Sequence, residues 1–212
     1  MKILASYILN HLLWLVSKIY TYTFSARMER WRNIIYTMWI RNFIGYVGDK
    51  VIIERPCKLQ GKGYSNISIG KDTNIRSYTV LGCWKKYDKQ EFSPSISIGS
   101  NCNIGEYNHI TAINRITIGD GLLTGRFVYI GDNAHGSLSL EEADIPPAKR
   151  HLVSKGEIVI GNNVWIGDKA TVLPGVRIGD NVIIASNAVV THDVPSNTLV
   201  AGVPAEVVRS LY

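Results

Sequence analysis

An aliphatic residue recurs every six positions through most of the chain beyond Gly45, and this period restricts the fold more than any other feature of the sequence. A small residue usually stands four places after the aliphatic residue, and glycine often follows the aliphatic residue directly. In the most regular run, the aliphatic residues are Ile160, Ile166, Val172, Ile178, Ile184 and Val190. The small residues four positions later, here called the fourth places, are Val164, Ala170, Val176, Val182, Ala188 and Val194.

A period of six predicts a parallel β-helix, because six residues make one short strand and a turn, and three such units make one coil. The aliphatic residue would fill the interior, and glycine would serve turns that need a positive φ or a close backbone approach. Eighteen hexads predict about six coils, which would rise ~29 Å at the usual strand spacing. The earlier hexads begin at Val47, Ile53, Leu59, Ile69, Ile75, Leu81, Ile98, Ile104, Ile110, Ile118, Thr124 and Ile130.

Four interruptions of the repeat carry 4, 11, 2 and 24 extra residues, and each follows the third hexad of a coil. They lie between residues 59 and 69, 81 and 98, 110 and 118, and 130 and 160. Neutral loop drift would scatter insertions among three corners, whereas these four share one corner. The pattern therefore predicts a functional site at that corner, with a long loop over 131–157.

Residues 1–45 form a separate unit in this interpretation, an N-terminal helical arm before a β-helix domain over 46–212. Apolar residues recur at helical spacing twice, which predicts two amphipathic helices joined near residues 21–25. Asn10 and His11 interrupt the first run, so it falls short of the ~18 apolar residues of a membrane span. Two interpretations stay open: the helices pack on the body or a neighbouring subunit, or they anchor peripherally at the inner face of the membrane.

Composition excludes several classes of protein. With 46% hydrophobic and 19% charged residues, the chain is not disordered. Residues 1–50 carry seven basic and two acidic groups, while the other 162 carry 16 and 15, so the body lacks the basic excess of a nucleic-acid-binding domain. Three cysteines without C-x-x-C spacing exclude a disulfide framework and favour a reducing compartment. We expect Cys57 and Cys102 to be buried at fourth places, and Cys83, in an insertion, to be open to solvent.

His135 is the candidate catalytic residue, because it lies where the chain leaves the prism in the longest insertion. A histidine so placed can act as a general base. The segment around Ser137 lacks the Gly-x-Ser-x-Gly elbow of a serine hydrolase. Neither H-x-x-x-x-H nor H-E-x-x-H spacing occurs, so we expect no metal site. The other histidines are His11, His109, His151 and His192.

Asn108 is a polar residue at a fourth place, where the pattern calls for a small apolar one. An amide inside the prism must find hydrogen-bond partners. One interpretation is an internal ladder with Asn114. The other is that the strand opens at the corner and Asn108 contacts substrate.

Three motifs carry a resemblance to a known family: Ile130–Gly136 (IGDNAHG), Val159–Gly167 (VIGNNVWIG) and Leu199–Ala205 (LVAGVPA). Together with the hexads, they resemble the hexapeptide-repeat acyltransferases, nearest to the sugar, xenobiotic and surface-polysaccharide O-acetyltransferases. The resemblance covers about residues 46–210. It implies a left-handed β-helix, a homotrimer, and three active sites at subunit interfaces where acetyl-CoA is the co-substrate.

The resemblance also assigns roles to single residues. His135 matches the family's catalytic histidine, and we expect Asn108 and Asp132 to contact the acceptor. His192 and Glu206 stand where the family often has basic residues, which removes two cations from the CoA phosphates. The positions that match the cofactor-binding residues are Trp165, Gly167, Asp168 and Ser186 along the pantetheine arm, and Thr191 and Arg209 near adenosine.

The expected function is cytoplasmic transfer of an acetyl group from acetyl-CoA to a hydroxyl of a sugar or polysaccharide acceptor. N-acyl transfer to an amino-sugar is one alternative. A non-catalytic β-helix scaffold is another, but it would explain neither a histidine at the corner nor four insertions stacked there.

Overall fold

The computed structural model describes residues 2–137 and 139–211. Met1, Leu138 and Tyr212, which belong to the predicted arm, long loop and β-helix domain, lie outside the described residues. Two helices come first, α1 (Lys2–Ile19) and α2 (Tyr22–Ile40). The Thr21 hydroxyl between them accepts a hydrogen bond from the Phe24 amide at 3.2 Å, which caps α2 at the predicted junction.

Three sheets form the faces of a left-handed parallel β-helix, as predicted. The first face contains β1 (Tyr46–Val47), β4 (Ile67–Ile69), β9 (Ser95–Ile98), β12 (Arg115–Ile118), β17 (Ile158–Ile160) and β20 (Arg177–Ile178). The second contains β2 (Ile52–Ile53), β5 (Asn74–Ile75), β10 (Asn103–Ile104), β13 (Leu123–Thr124), β18 (Trp165–Ile166), β21 (Ile183–Ile184), β23 (Thr198–Gly202) and the antiparallel β24 (Ala205–Ser210). The third contains β3 (Lys58–Gln60), β6 (Val80–Cys83), β11 (His109–Ala112), β14 (Tyr129–Gly131), β19 (Thr171–Val172) and β22 (Val189–Val190).

The register of the strands confirms the six-residue frame. On the first face, Ile98 is paired with both Ile69 and Ile118, and Ile160 with both Ile118 and Ile178. The chain completes six coils, and β23 begins a seventh on the second face. All six small residues at the fourth places of the regular run are buried, so they share the interior with the aliphatic residues as expected.

Close approach, and not a positive φ, explains the glycines that follow the aliphatic residues. A Cβ on Gly167 would lie 2.6 Å from the Ser186 amide nitrogen of the next coil, closer than real Cβ contacts. The turn residues with positive φ lie two positions later, and most of them are not glycine. Lys169 and Asn187 are examples, each with a φ of 61°. Asparagine is among the few residue types that tolerate this backbone region readily.

The second helix covers the open end of the first coil. The Thr37 hydroxyl donates to the Ile53 carbonyl at 3.1 Å and accepts from the Ile53 amide at 2.9 Å. The Tyr36 hydroxyl bridges the Cys57 carbonyl and amide in the same way, at 2.8 and 3.1 Å. These bonds satisfy backbone groups that an edge strand would leave unpaired. Packing on the body is therefore correct for α2, while the division into two domains stays a prediction.

All four insertions leave the prism between the third and first faces, as predicted. The second insertion forms a hairpin of β7 (Lys86–Tyr87) and β8 (Gln90–Glu91), and the longest forms β15 (Ala134–His135) and β16 (Leu152–Val153). Short 3₁₀ turns occupy Arg41–Phe43, Tyr64–Asn66, Leu140–Glu142 and Pro147–Lys149.

The cysteines are all buried. This confirms the prediction for Cys57 and Cys102 and corrects the one for Cys83, which closes strand β6 and does not lie in the insertion after it. Burial raises the pKa of the Cys83 thiol to about 12, so this thiol is a poor nucleophile at neutral pH.

Candidate active site

His135 lies on a short antiparallel ribbon within the longest insertion. Strand β15 pairs with β16, so that His135 is opposite Leu152 and Ala134 is opposite Val153. Further along the loop, Glu142 accepts hydrogen bonds from the Ser137 amide at 2.5 Å and the Ser137 hydroxyl at 2.9 Å, and these bonds lower the pKa of its carboxyl group. The ribbon and the carboxylate together fix the backbone on both sides of the histidine.

A glutamine from the second insertion attaches that hairpin to the ribbon. The Gln90 side chain donates to the Leu152 carbonyl at 3.0 Å and accepts from the Leu152 amide at 2.7 Å. Leu152 is buried and is the residue opposite His135. The two insertions, separated by about forty residues of β-helix, are therefore joined directly beside the candidate base.

Tyr87 of the same hairpin contacts the His135 ring. Its hydroxyl oxygen is 3.5 Å from His135 Nδ1, and the two rings meet edge to face with centroids 5.3 Å apart. The hydroxyl donates its proton to the Ala148 carbonyl at 2.7 Å, so it can offer only a lone pair to the imidazole. This arrangement favours the tautomer with hydrogen on Nδ1 and leaves Nε2 free to accept a proton.

A cleft of about 750 Å³ opens beside His135. It extends from the ribbon to the corner between the third and first faces of the fifth and sixth coils. The histidine is exposed, so its free nitrogen can reach a ligand in the cleft. The lining residues are Tyr129, Asn133, Ala134, His135, Gly136, Ser137, Val153, Ser154, Lys155, Leu173, Pro174, Thr191 and His192.

Asp132, which we expect to contact the acceptor, is not among the residues that line this cleft. Its side chain is fully enclosed and accepts hydrogen bonds at 2.9 Å from the amides of Ile113 and Asn114. Burial raises the pKa of this carboxyl group, and the amide hydrogen bonds oppose the shift. Asp132 thus joins the third insertion to the base of the fourth, and its contact with the acceptor stays a prediction.

Asn108 is also enclosed, with 1% of its surface exposed. Its amide group donates to the Thr124 hydroxyl, and its Oδ1 accepts from the Val128 amide at 2.7 Å. Asn114 is exposed, so the predicted ladder between the two asparagines does not form. Asn108 is internal, as one interpretation expected, but its partners are Thr124 and Val128 and not Asn114. Contact between Asn108 and an acceptor stays a prediction.

The expected cofactor residues lie along two different edges of the prism. Thr191 shares the cleft with His135, and its hydroxyl is 2.8 Å from Nδ1 of His192. Ser186 and Asp168 lie at the corner between the second and third faces, where Asp168 accepts from the Arg126 amide at 2.8 Å. Arg209 is exposed on β24, opposite Leu199. Trp165 and Gly167 stand on either side of Ile166, near the edge that carries Asp168 and Ser186. Neither this pair nor Asp168 and Ser186 lines the cleft.

Sequence reasoning missed Tyr87 and Gln90. The available signal was that their insertion leaves the same corner as the one carrying His135. Within residues 2–137 and 139–211, no three histidine, cysteine or acidic side chains come together as metal ligands.

The chain matches the family model "Bacterial transferase hexapeptide (six repeats)" over residues 157–192. It is 40% identical over 118 residues to the Escherichia coli (strain K12) protein "Putative lipopolysaccharide biosynthesis O-acetyl transferase WbbJ", covering 54% of this chain and 60% of that one. It is 36% identical over 126 residues to the galactoside O-acetyltransferase of the same strain, covering 54% and 57%.

Among solved structures, the chain superposes with a TM-score of 0.66 and 18% identity on AntD, an N-acyltransferase from Bacillus cereus in complex with dTDP and 3-hydroxybutyryl-CoA. The match covers 84% of this chain and 88% of that one, and it supports the shared fold. The chain spans less than two thirds of the length of the two curated relatives. The hexapeptide match, these relatives and the β-helix show that the chain is similar to the hexapeptide-repeat acyltransferases.

Proposed function

We propose that the protein transfers an acetyl group from acetyl-CoA to a hydroxyl group of a sugar or polysaccharide acceptor, with His135 as general base. The observation that carries the proposal is the geometry at the insertion corner. There an exposed imidazole lines the cleft, and a tyrosine hydroxyl beside Nδ1 favours a proton-accepting Nε2. Two relatives named as O-acetyltransferases support the choice of a hydroxyl acceptor.

In the proposed reaction, Nε2 of His135 takes the proton of the acceptor hydroxyl as its oxygen attacks the thioester carbonyl. The carbon–sulfur bond then breaks, the proton passes to the leaving thiolate, and the products are the acetyl ester and free CoA. Contact with Tyr87 orients the His135 ring beside the cleft. A positioned base of this kind contributes typically ~10²–10⁴-fold to the rate.

We also propose that the active unit is a homotrimer. The two groups of expected cofactor residues occupy different edges of one chain, so a single copy does not bring them together. A neighbouring copy that places its Trp165–Ser186 edge against the His135 cleft would complete the site, which is the arrangement that the family resemblance implies. A reducing, cytoplasmic location fits a chain whose three cysteines are all free.

The test is the substitution His135→Ala, assayed by the release of free thiol from acetyl-CoA over a set of sugar and oligosaccharide acceptors. We expect kcat to fall by ~10²–10⁴-fold, with little change in the affinity for acetyl-CoA measured by calorimetry, because the rest of the cleft is intact. In the unchanged protein, kcat/KM should rise from acidic to neutral pH, because a general base acts only in its unprotonated form. This rise should vanish in the variant.

His151→Ala is the matched control, because His151 is an exposed histidine of the same insertion that does not line the cleft. It should keep most of the turnover. Full turnover by His135→Ala would contradict the assignment of the base. Failure of the unchanged protein to bind acetyl-CoA at millimolar concentration would contradict the proposed function itself and favour the scaffold alternative.

A further inference from the structure

The helix α1 exposes an apolar surface that no other described part of the chain covers. Contiguous apolar surface on this scale marks an interaction site in a protein. The least exposed of its large apolar side chains, Leu15, still has 47% of its surface open. The exposed large apolar residues of the helix are Leu4, Tyr7, Ile8, Leu9, Leu12, Leu13, Trp14, Leu15, Val16 and Ile19.

These side chains are not spread evenly around the helix. With 3.6 residues per turn, the aliphatic ones fall on a continuous arc of about half the circumference. Lys2 lies near one margin of that arc, where its long stem can carry the charge outward. The apolar arc contains Leu4, Ala5, Ile8, Leu9, Leu12, Leu13, Leu15, Val16 and Ile19.

The opposite arc carries polar groups and the aromatic side chains of the helix. Lys18 lies over the Trp14 ring with Nζ 5.0 Å from its centroid, and His11 stacks on the same indole with ring centroids 5.7 Å apart. Ser17 and Asn10 belong to the same arc. Aromatic rings with a polar edge beside a cationic group are typical of side chains at the level of lipid headgroups.

The charge of the two helices is strongly one-sided. Residues 2–41 contain six basic side chains and one acidic side chain, a net charge of +5. The single acidic residue, Glu29, is already paired with Arg32 at 3.3 Å and Arg55 at 3.5 Å. Within residues 2–137 and 139–211, Lys2, Lys18, Arg27 and Arg30 form no ion pair and are available to an anionic partner. Each such cation near an anionic membrane surface strengthens binding about fivefold.

A second copy of the chain fits this surface less well. Paired helices bury a narrow seam of about two residues in seven, and charged residues of opposite sign flank it. The apolar arc of α1 is far wider, and the helix has no acidic residue to oppose its lysines. Among the described residues, no helix is long and apolar enough to cross a bilayer.

We infer that α1 lies in the surface of an anionic lipid bilayer, with its aliphatic arc in the acyl region and Trp14, His11 and Lys18 among the headgroups. An amphipathic helix of this kind binds through its buried apolar area and through attraction to anionic lipid. This contact would hold the enzyme at a membrane without a spanning segment. The inference does not depend on the proposed reaction.

The experiment is flotation of the whole chain with vesicles of phosphatidylcholine, alone or mixed with phosphatidylglycerol. We expect the protein to float with the mixed vesicles and to be released substantially by high salt. The double substitution Leu12→Glu and Val16→Glu, at the centre of the apolar arc, should weaken partitioning by ~100-fold or more. Asn10→Glu with Ser17→Glu is the matched control, because it adds the same charge on the polar arc and should weaken binding far less.

Both variants change exposed positions of α1, so thermal unfolding of the β-helix should be unaffected. Turnover of a soluble acceptor should also be unaffected, which separates this inference from the proposed function. Absence of flotation with anionic vesicles at low salt would overturn the inference, as would equal binding by the two double variants. A smaller assembly without lipid, seen only for Leu12→Glu with Val16→Glu, would show that α1 packs between copies of the chain and would also overturn it.

Discussion

We expect the Tyr87 hydroxyl, 3.5 Å from Nδ1 of His135, to influence which nitrogen of the imidazole carries the proton. Because its own hydrogen is held by the Ala148 carbonyl, Tyr87→Phe removes an acceptor from Nδ1 and leaves the ring packing in place. Loss of one neutral hydrogen bond, worth about 0.5–1.5 kcal/mol, should lower kcat by ~2–10-fold. The ¹⁵N chemical shifts of His135 should show more of the tautomer protonated on Nε2.

Tyr46→Phe is the control for this substitution, because Tyr46 is an exposed tyrosine of the first coil and should leave both measurements unchanged. A Tyr87→Phe variant with lower kcat but an unaltered tautomer population would mean that the residue acts through packing of the hairpin alone.

His109 should make the protein less stable in acid. Burial lowers the pKa of its imidazole, and the charge of Lys58 lowers it further. The folded pKa is therefore below the unfolded value of about 6.5, so the folded state binds fewer protons. The stability that neutral His109 contributes is fully present above the unfolded pKa. It is lost as the pH falls below the unfolded pKa and through the folded pKa. His109→Phe keeps the edge-to-face contact with Tyr129 and cannot titrate.

We expect the unfolding temperature of His109→Phe to fall less between about pH 7.5 and pH 5.5 than that of the unchanged protein. The variant should also gain stability at low pH, because Nε2 of His109 is buried and finds no hydrogen-bond partner within residues 2–137 and 139–211. His151→Gln is the control, as that histidine is exposed. An identical slope in His109→Phe and the unchanged protein would show that other groups cause the acid loss.

The location of a single residue in the fold was predictable where its position along the repeat determined its surroundings. His135 was predicted from its place at the end of a hexad in the longest insertion, and it lines the cleft, while its catalytic role stays a prediction. Asn108 and Asp132 lie at equally suggestive places, yet hydrogen bonds to Thr124, Val128 and two backbone amides enclose them. Those partners come from the next coil or the neighbouring insertion. A linear sequence does not show how side chains from different coils meet.

At the scale of elements, the repeat alone predicted the coils and the corner. Each strand apart from β24 is only two to five residues long. Its place is set by an aliphatic residue that must be buried, and the six-residue period fixes how each strand pairs with the strand of the next coil. The contents of the insertions obey no such period. The pairing of β15 with β16, and its connection to the second hairpin through Gln90, depend on contacts between distant loops.

The helices show the same contrast. Helical spacing predicted both, but the spacing did not separate a helix that packs from one that does not. The decisive groups in α2 are the Thr37 and Tyr36 hydroxyls, which satisfy the backbone of the first coil. In the described part of the chain, α1 makes no equivalent bond to the β-helix, and its aliphatic arc stays exposed.

At the scale of the whole molecule, the predicted site residues of one chain lie on two different edges. The His135 cleft lies between the third and first faces. Trp165 lies on the second face, and Gly167 and Ser186 lie at the corner between the second and third faces. A closed ring of three copies would bring each cleft against the other edge of its neighbour. Activity should then depend on residues supplied in trans, which a mixture of two inactive variants can reveal.

The variants are His135→Ala, defective at the cleft, and Trp165→Asp, defective at the opposite edge through loss of an indole that is 51% exposed. Each should be inactive alone. The two variants are co-expressed with different tags, and trimers that contain both are isolated. In each such trimer about a third of the interfaces combine an intact cleft with an intact edge, so we expect about a third of the activity of the unchanged protein. The control pairs His135→Ala with Thr191→Trp, because both lie on the same edge and every mixed interface stays defective. If the site lay within one chain, the first mixture would recover no activity. If the control mixture recovered activity, subunit mixing would restore activity for a reason other than a shared site.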